Sequence, residues 1–243
     1  MPPEIPSAAL KAFIFDLDGV LTDTAEYHYR AWKRLADELG IPFDRQLNEK
    51  LRGVSRRRSL ELLLGGRPAT EKQMELWMER KNSYYVALLQ QMTPDAVLPG
   101  ALDFLREVRQ AGMVIGIASA SKNASTVLSR LGLWGYVDVV SNGYSVERPK
   151  PAPDLFLACA RRLDVQPAEA VVVEDAAAGV EAALKGGFWV VGLGSRERVV
   201  GAHAIFPGLE GVRLNDVLEA IARAARQEAR LDTNVSSSGE FLQ

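Results

Sequence analysis

Apolar residues along the chain follow two regimes. Directly after Lys11 a short run, Ala12-Phe-Ile-Phe15, carries two aromatics and stops at Asp16, the composition of a buried strand. From about residue 25 to 92 the spacing is helical throughout. Residues 24–40 present Ala31, Leu35 and Leu39 along one face, with Gly40 as the stop. Residues 44–64 read as two short helices broken near Gly53. Thr70 is placed to cap a further helix reaching about residue 92 through Trp77, Met78, Tyr84, Tyr85 and Leu88, with Tyr84, Tyr85 and Leu88 expected in the core of this helical block.

From Pro99-Gly100 onward the pattern alternates. Helices are expected over 101–111, 123–131, 153–163, 176–185 and 214–225, and strands over 113–118, about 137–140, 170–173 and 189–192. Pro153 suits a helix start, where its missing N–H costs nothing. Strands alternating with helices of this length predict an α/β fold with a doubly wound, Rossmann-like parallel sheet. An all-helical stretch inside that alternation reads as an inserted cap. The expected organisation is a core over 1–24 and 93–230, a helical cap over 25–92, and a disordered tail over 231–243.

Composition narrows the setting. The 243 residues suffice for a full core, and 47% apolar with 25% charged residues is ordinary for a globular protein. A net charge of −2 offers no general attraction to nucleic acid or membranes. No apolar run approaches the 18 residues of a membrane span, and residues 1–7 do not read as a signal peptide, so a soluble cytoplasmic protein is expected. The single Cys159 cannot form an internal disulfide and falls on a helix face expected to be buried.

Chemistry concentrates where the predicted strands end. Asp16 and Asp18 are two apart, so in extended chain both carboxylates face one way, and Gly19 lets the backbone turn sharply after them. Ligands of open α/β sheets bind at such strand ends, and two close carboxylates call for a divalent cation. Taken alone, the pair could equally cap a helix and start a turn. Ser119-Ala-Ser-Lys-Asn123 follows a second strand with hydroxyls and free N–H groups suited to phosphate, although Ser121 or Asn123 would also serve as a plain N-cap. Lys150 stands on a loop stiffened by prolines, and Glu174-Asp175 ends a third strand.

The string Asp16-Leu-Asp-Gly-Val-Leu-Thr-Asp-Thr24 resembles the D-x-D-G-x-L-x-D-[ST] nucleophile motif of the haloacid dehalogenase superfamily, and the Ser119, Lys150 and Glu174-Asp175 motifs follow in that superfamily's order. The resemblance implies that Asp16 is a nucleophile and metal ligand. It makes Asp18 a general acid/base whose backbone carbonyl also binds metal. Asp175 becomes a direct ligand, Glu174 a second ligand or one acting through water, and Ser119 with Lys150 the grip on the transferring phosphoryl group. Oxygen ligands without Cys or His favour Mg²⁺, one per chain.

Residues 22–32, Gly53-Val-Ser-Arg56, Arg80-Lys-Asn82, Ser119-Ala-Ser-Lys-Asn123 and Lys150-Pro-Ala-Pro-Asp154 further resemble the β-phosphoglucomutase family. That implies a non-transferring phosphate on Arg56 within Gly53, Val54, Ser55 and Arg56. It implies His28 in closure and in discrimination between phosphate positions, Lys81 in substrate contact, and Ala120, Ser121, Lys122 and Asn123 in the sugar-phosphate site. The activity expected from the resemblance interconverts β-D-glucose 1-phosphate and glucose 6-phosphate, with β-glucose 1,6-bisphosphate as primer and intermediate. Its partners are small sugar phosphates, with no nucleic acid or membrane, acting on a monomer. A sugar-phosphate phosphatase of the same superfamily is the alternative, and a non-catalytic sugar-phosphate sensor a more distant one. Glu147-Arg-Pro before Lys150, and Ala176 where a Ser is common after the acidic pair, depart from the family pattern.

Overall fold

The computed structural model describes residues 10–51 and 54–238. Six parallel strands form one sheet: β1 (Ala12–Phe15), β2 (Val114–Ala118), β3 (Val139–Ser141), β4 (Ala170–Glu174), β5 (Trp189–Leu193) and β6 (Ala204–Phe206), in the order β3-β2-β1-β4-β5-β6. The chain moves outward from β1 to β3, then returns to the other side of β1 with β4. The crevice between β1 and β4 is therefore the topological switch point where such sheets bind ligands. Phe15 lies opposite Ile117 on β2 and Val173 on β4, so the residues that follow these three strands emerge side by side.

Period-two alternation in β1 splits the core. Phe13 and Phe15 face α5 (Ala101–Gln110), α6 (Ala124–Leu131) and α9 (Leu214–Ser238), where the Phe104 ring packs edge-on at 5.6 Å from Phe13 and 6.1 Å from Phe15. Ala12 and Ile14 face α7 (Asp154–Leu163) and α8 (Ala177–Lys185), against Phe156 and Val180. Helices thus cover both faces, as a doubly wound sheet requires. Cys159 is buried there as expected.

Between β1 and α5 the chain forms α1 (Ala25–Glu38), α2 (Arg45–Glu49), α3 (Arg56–Leu64) and α4 (Glu71–Leu89). Trp32, Leu35, Leu60, Leu63 and Met74 build a separate apolar cluster among them. Tyr84, Tyr85 and Leu88 belong elsewhere: they pack on the sheet-side core with Leu89. The 19-residue α4 spans both clusters, and periodicity cannot say which neighbour a helix face meets.

Local chemistry fixes the helix starts. Asp44 accepts from Leu47 N–H and Ser55 from Arg58 N–H. Thr70 and Gln73 form a reciprocal capping box, with Thr70 Oγ1 accepting from Gln73 N–H at 3.3 Å and Gln73 Oε1 accepting from Thr70 N–H at 2.8 Å. Thr70→Ala is expected to destabilise the protein by about 1 kcal/mol, read as a lower urea midpoint with an unchanged slope.

Two expectations change at the C-terminal end. The three-residue β6 was too short to stand out from its flanking loop. Helix α9 runs to Ser238 rather than ending near Ala225, so residues 231–238, expected to be disordered, are helical. Leu214, Val217, Ile221 and Ala225 anchor its first turns in the core, and the Arg226–Leu231 stretch that follows is made of strong helix formers. Residues 239–243 lie outside the described residues. Among the described residues no helix is long and apolar enough to cross a membrane.

Candidate active site

The ends of β1, β2 and β4 converge on a cleft of about 390 Å³. At the end of β1, Asp16 is buried, accepting from Lys150 Nζ at 2.5 Å through Oδ1 and from Asp18 N–H at 2.9 Å through Oδ2. Asp18 also lines the cleft, and Thr24 Oγ1 donates to its Oδ1 in a short hydrogen bond. Burial first, then the charge of Asp16, raises Asp18 to about 7, with the Thr24 hydrogen bond opposing the shift. This carboxyl can therefore hold a proton near neutral pH. Gly19 takes a left-handed φ of 86°, and a Cβ there would collide with the Asp175 carboxylate, so the backbone after the two acids passes directly against the third.

At the end of β4, Glu174 Oε1 accepts from the N–H groups of Asp175 and Ala176 at 3.0 Å each, while Oε2 accepts from Lys150 Nζ at 2.7 Å. Gly179 on the first turn of α8 leaves room for the Glu174 side chain. Asp175 pairs with Arg198 from the loop after β5. Burial works against the charge of Lys150, but Asp16 and Glu174 outweigh it and hold the ammonium charged. Glu174 itself is pushed up to about 8, by burial first and then by Asp16 and Asp175 against the pull of Lys150.

Asp16, Glu174 and Asp175 each offer an oxygen within 4.8 Å of the others, all three buried. Three hard oxygen donors, close enough that burial and the two neighbouring carboxylates raise Glu174, fit a small divalent cation such as Mg²⁺. The Asp18 carboxylate is outside this group; its part in the expected ligand set is the backbone carbonyl.

The loop after β2 is folded on itself. Ser119 is buried, its Oγ accepting from Ser121 N–H at 3.1 Å, and Ser121 Oγ accepts from Asn123 N–H at 3.2 Å. Ser119, Ala120, Ser121 and Lys122 line the cleft. Asn123 occupies the N-cap position of α6 without a side-chain cap bond. Its Nδ2 instead donates to Asn82 Oδ1 on α4 at 2.8 Å, an oxygen that also accepts from Arg56 Nη2 at 2.8 Å.

From the helical block, Val54, Ser55 and Arg56 reach the cleft at the start of α3; Gly53 lies outside the described residues. The His28 ring stacks on Tyr85 at 4.1 Å, and its Nδ1 meets Lys81 Nζ at 2.7 Å. Burial lowers both Lys81 and His28. Arg56 adds to the shift at both, and the Lys81 charge further lowers His28. His28 is thus a neutral ring inside the cleft rather than a surface histidine.

Residues that sequence reasoning passed over include Thr24, Asn82 and Arg198. Thr24 closes the Asp16 motif and Asn82 follows Lys81, so both had a signal in hand. Arg198 had none, since its loop follows a strand with no chemistry-bearing motif.

Carboxylates at the ends of adjacent parallel strands and a buried lysine between them thus share one cleft with Arg56 and Lys122. Residues 10–187 match the family model of the haloacid dehalogenase-like hydrolases, and the chain belongs to that family. It is 42% identical over 200 residues to β-phosphoglucomutase of Bacillus subtilis, covering 81% of this chain and 88% of that protein. A phosphorylated carbohydrates phosphatase of Thermotoga maritima is 32% identical over 183 residues, covering 73% and 82%. The solved structure of β-phosphoglucomutase from Clostridium difficile superposes with a TM-score of 0.85 at 37% identity, covering 88% of this chain and 98% of that one.

Proposed function

We propose that the chain is a cytoplasmic, monomeric, Mg²⁺-dependent β-phosphoglucomutase. It interconverts β-D-glucose 1-phosphate and glucose 6-phosphate through phospho-Asp16 and β-glucose 1,6-bisphosphate, which also serves as primer. The observation that carries the reading is a cleft with cations at both ends: Lys150 beside Asp16, and Arg56 with Lys122 on the far side. A phosphatase has one phosphate to hold; a mutase whose intermediate bears two must hold both. Similarity to β-phosphoglucomutases over most of the chain supports the same reading.

In this mechanism Asp16 Oδ attacks the phosphorus in line. Lys150 and the Ser119 hydroxyl neutralise the transferring oxygens. Asp16, Glu174, Asp175 and the Asp18 carbonyl would hold Mg²⁺, which supplies further charge cancellation on the phosphoryl oxygens. Asp18, held by Thr24, gives a proton to the departing sugar oxygen and takes one from the attacking hydroxyl in the return step. Helices α1–α4 act as the cap that excludes water, since water reaching phospho-Asp16 would waste the phosphoryl group.

The test follows purified protein with β-glucose 1-phosphate, bisphosphate primer and Mg²⁺, measuring glucose 6-phosphate against free phosphate. Glucose 6-phosphate as the main product is expected; free phosphate in its place makes the protein a phosphatase. Arg56→Ala sharpens the test. It removes the planar fork that grips the remote phosphate, so mutase turnover should fall by about 10²-fold or more. Phosphorylation of Asp16 by acetyl phosphate, too small to span the cleft, should be largely preserved. Equal loss of both would place Arg56 in support of the core site, and loss of neither would remove it from substrate binding.

A further inference from the structure

One aromatic side chain, packed against the cleft-lining Lys122, belongs to none of the motifs above. Tyr144 sits on the loop between β3 and Lys150 and is 72% exposed, an unusual setting for a tyrosine that nonetheless has a fixed position. Its turn is tied down three times. Ser145 N–H donates to Asn142 O at 2.7 Å, Asn142 N–H to Ser145 Oγ at 2.9 Å, and Tyr144 N–H to Asn142 Oδ1 at 3.0 Å. The turn rests on the phosphate-side loop through Gly143. A Cβ at that position would stand 2.5 Å from Ala120 O and 3.1 Å from Lys122 Cγ, so only glycine lets the two loops touch.

Seated this way, the Tyr144 ring lies under the Lys122 ammonium, 4.4 Å from Nζ to the ring centroid. Arg56 lines the same cleft and donates to Asn82 Oδ1 at 2.8 Å. Lys122 comes from the sheet side and Arg56 from α3. Both are assigned above to the remote phosphate, and Asn82 joins Arg56 to Asn123, the residue after Lys122.

We propose that Tyr144 is a specificity-determining positioning residue for the remote phosphate subsite. Its ring holds Lys122, which lines the cleft, in place to meet the second phosphate of the sugar bisphosphate. A lysine has four rotatable bonds and loses their freedom when it engages a ligand; held in place beforehand, it loses less. The consequence is selective: Tyr144 favours ligands with an anionic group at the remote end and contributes nothing to a ligand that ends at the carboxylates. This rests on the mutase reading above and adds to it the element that sets preference for a second phosphate.

The test measures glucose 6-phosphate binding by titration calorimetry, with Mg²⁺, on Asp16→Asn protein carrying Tyr144, Tyr144→Phe or Tyr144→Ala. Acetyl phosphate phosphorylation is measured in parallel on the same three forms with Asp16 intact. Tyr144→Ala is expected to weaken glucose 6-phosphate binding about three- to tenfold, and Tyr144→Phe, which keeps the ring, to stay within about twofold. The acetyl phosphate rate should be unchanged in all three, because that reaction never reaches Lys122. Binding by Tyr144→Ala within twofold of Tyr144 protein overturns the proposal, as does a parallel loss of the acetyl phosphate reaction, which a merely structural role would produce. Phe as weak as Ala overturns the role given to the ring. If the Tyr144 form itself binds no glucose 6-phosphate, the mutase reading fails and the proposal with it.

Discussion

Asp16→Asn should abolish phosphoryl transfer, by about 10⁴-fold or more, while the protein stays folded. Asn matches Asp in size but cannot form an acyl phosphate, so the loss falls on chemistry and not on binding. The surroundings tolerate the change. Lys150 keeps Glu174 at 2.7 Å, and the Asp18 N–H bond at 2.9 Å can go to the amide oxygen. Asp16, Asp18, Glu174 and Asp175 crowd four carboxylates around Lys150 and Arg198, so removing one negative charge relieves repulsion as well as costing an ion pair. Acid-quenched protein after acetyl phosphate should carry no phosphate on the variant, and its circular dichroism and thermal midpoint should stay close to those of Asp16 protein. Measurable turnover by pure Asp16→Asn would move the nucleophile elsewhere.

Asp18→Asn should cost about 10²–10⁴-fold in mutase turnover, the usual worth of a positioned acid or base. The side chain is set up for that work: Thr24 fixes one oxygen, and burial beside Asp16 raises the carboxyl to about 7. Asn keeps the backbone carbonyl and the approximate shape, but it has no proton to exchange. The loss should depend on the leaving group. A sugar alkoxide departs poorly without a proton, whereas acetate departs readily without one, so phosphorylation by acetyl phosphate should survive Asp18→Asn far better than transfer from a sugar phosphate. Equal losses with both donors would assign the proton transfer to another group and leave Asp18 a structural role.

Much of this protein was legible in its sequence, and for identifiable reasons. Ala12-Phe-Ile-Phe15 has the composition of the buried strand it forms, and its abrupt end at Asp16 and Asp18 marked a candidate site that the longer motif set apart from a plain turn. The alternation after residue 100 implied a parallel sheet, and Thr70, placed to cap a helix, is the N-cap of α4. These features are local, written within a few residues of where they act. The strand ends pointed to a cation at Asp16 and Asp18, and the family resemblance added Glu174 and Asp175; Asp16, Glu174 and Asp175 do come together, without the Asp18 carboxylate.

What the sequence left open depends on which distant segments meet. Nothing near Tyr85 says that α4 leaves the helical block halfway along and stacks this ring on His28. Nothing near Asn82 says that one amide oxygen joins Arg56 to Asn123. Arg198 reaches Asp175, and Tyr144 reaches Lys122, across loops whose sequences carry no motif. Spacing along a strand or helix determines which side chains share a face, since backbone geometry repeats every two residues or every 3.6. Which face meets which depends on packing the whole chain at once. The carboxylates and the lysine were therefore written in the sequence, while the partners that tune, hold and close around them were decided by the tertiary fold.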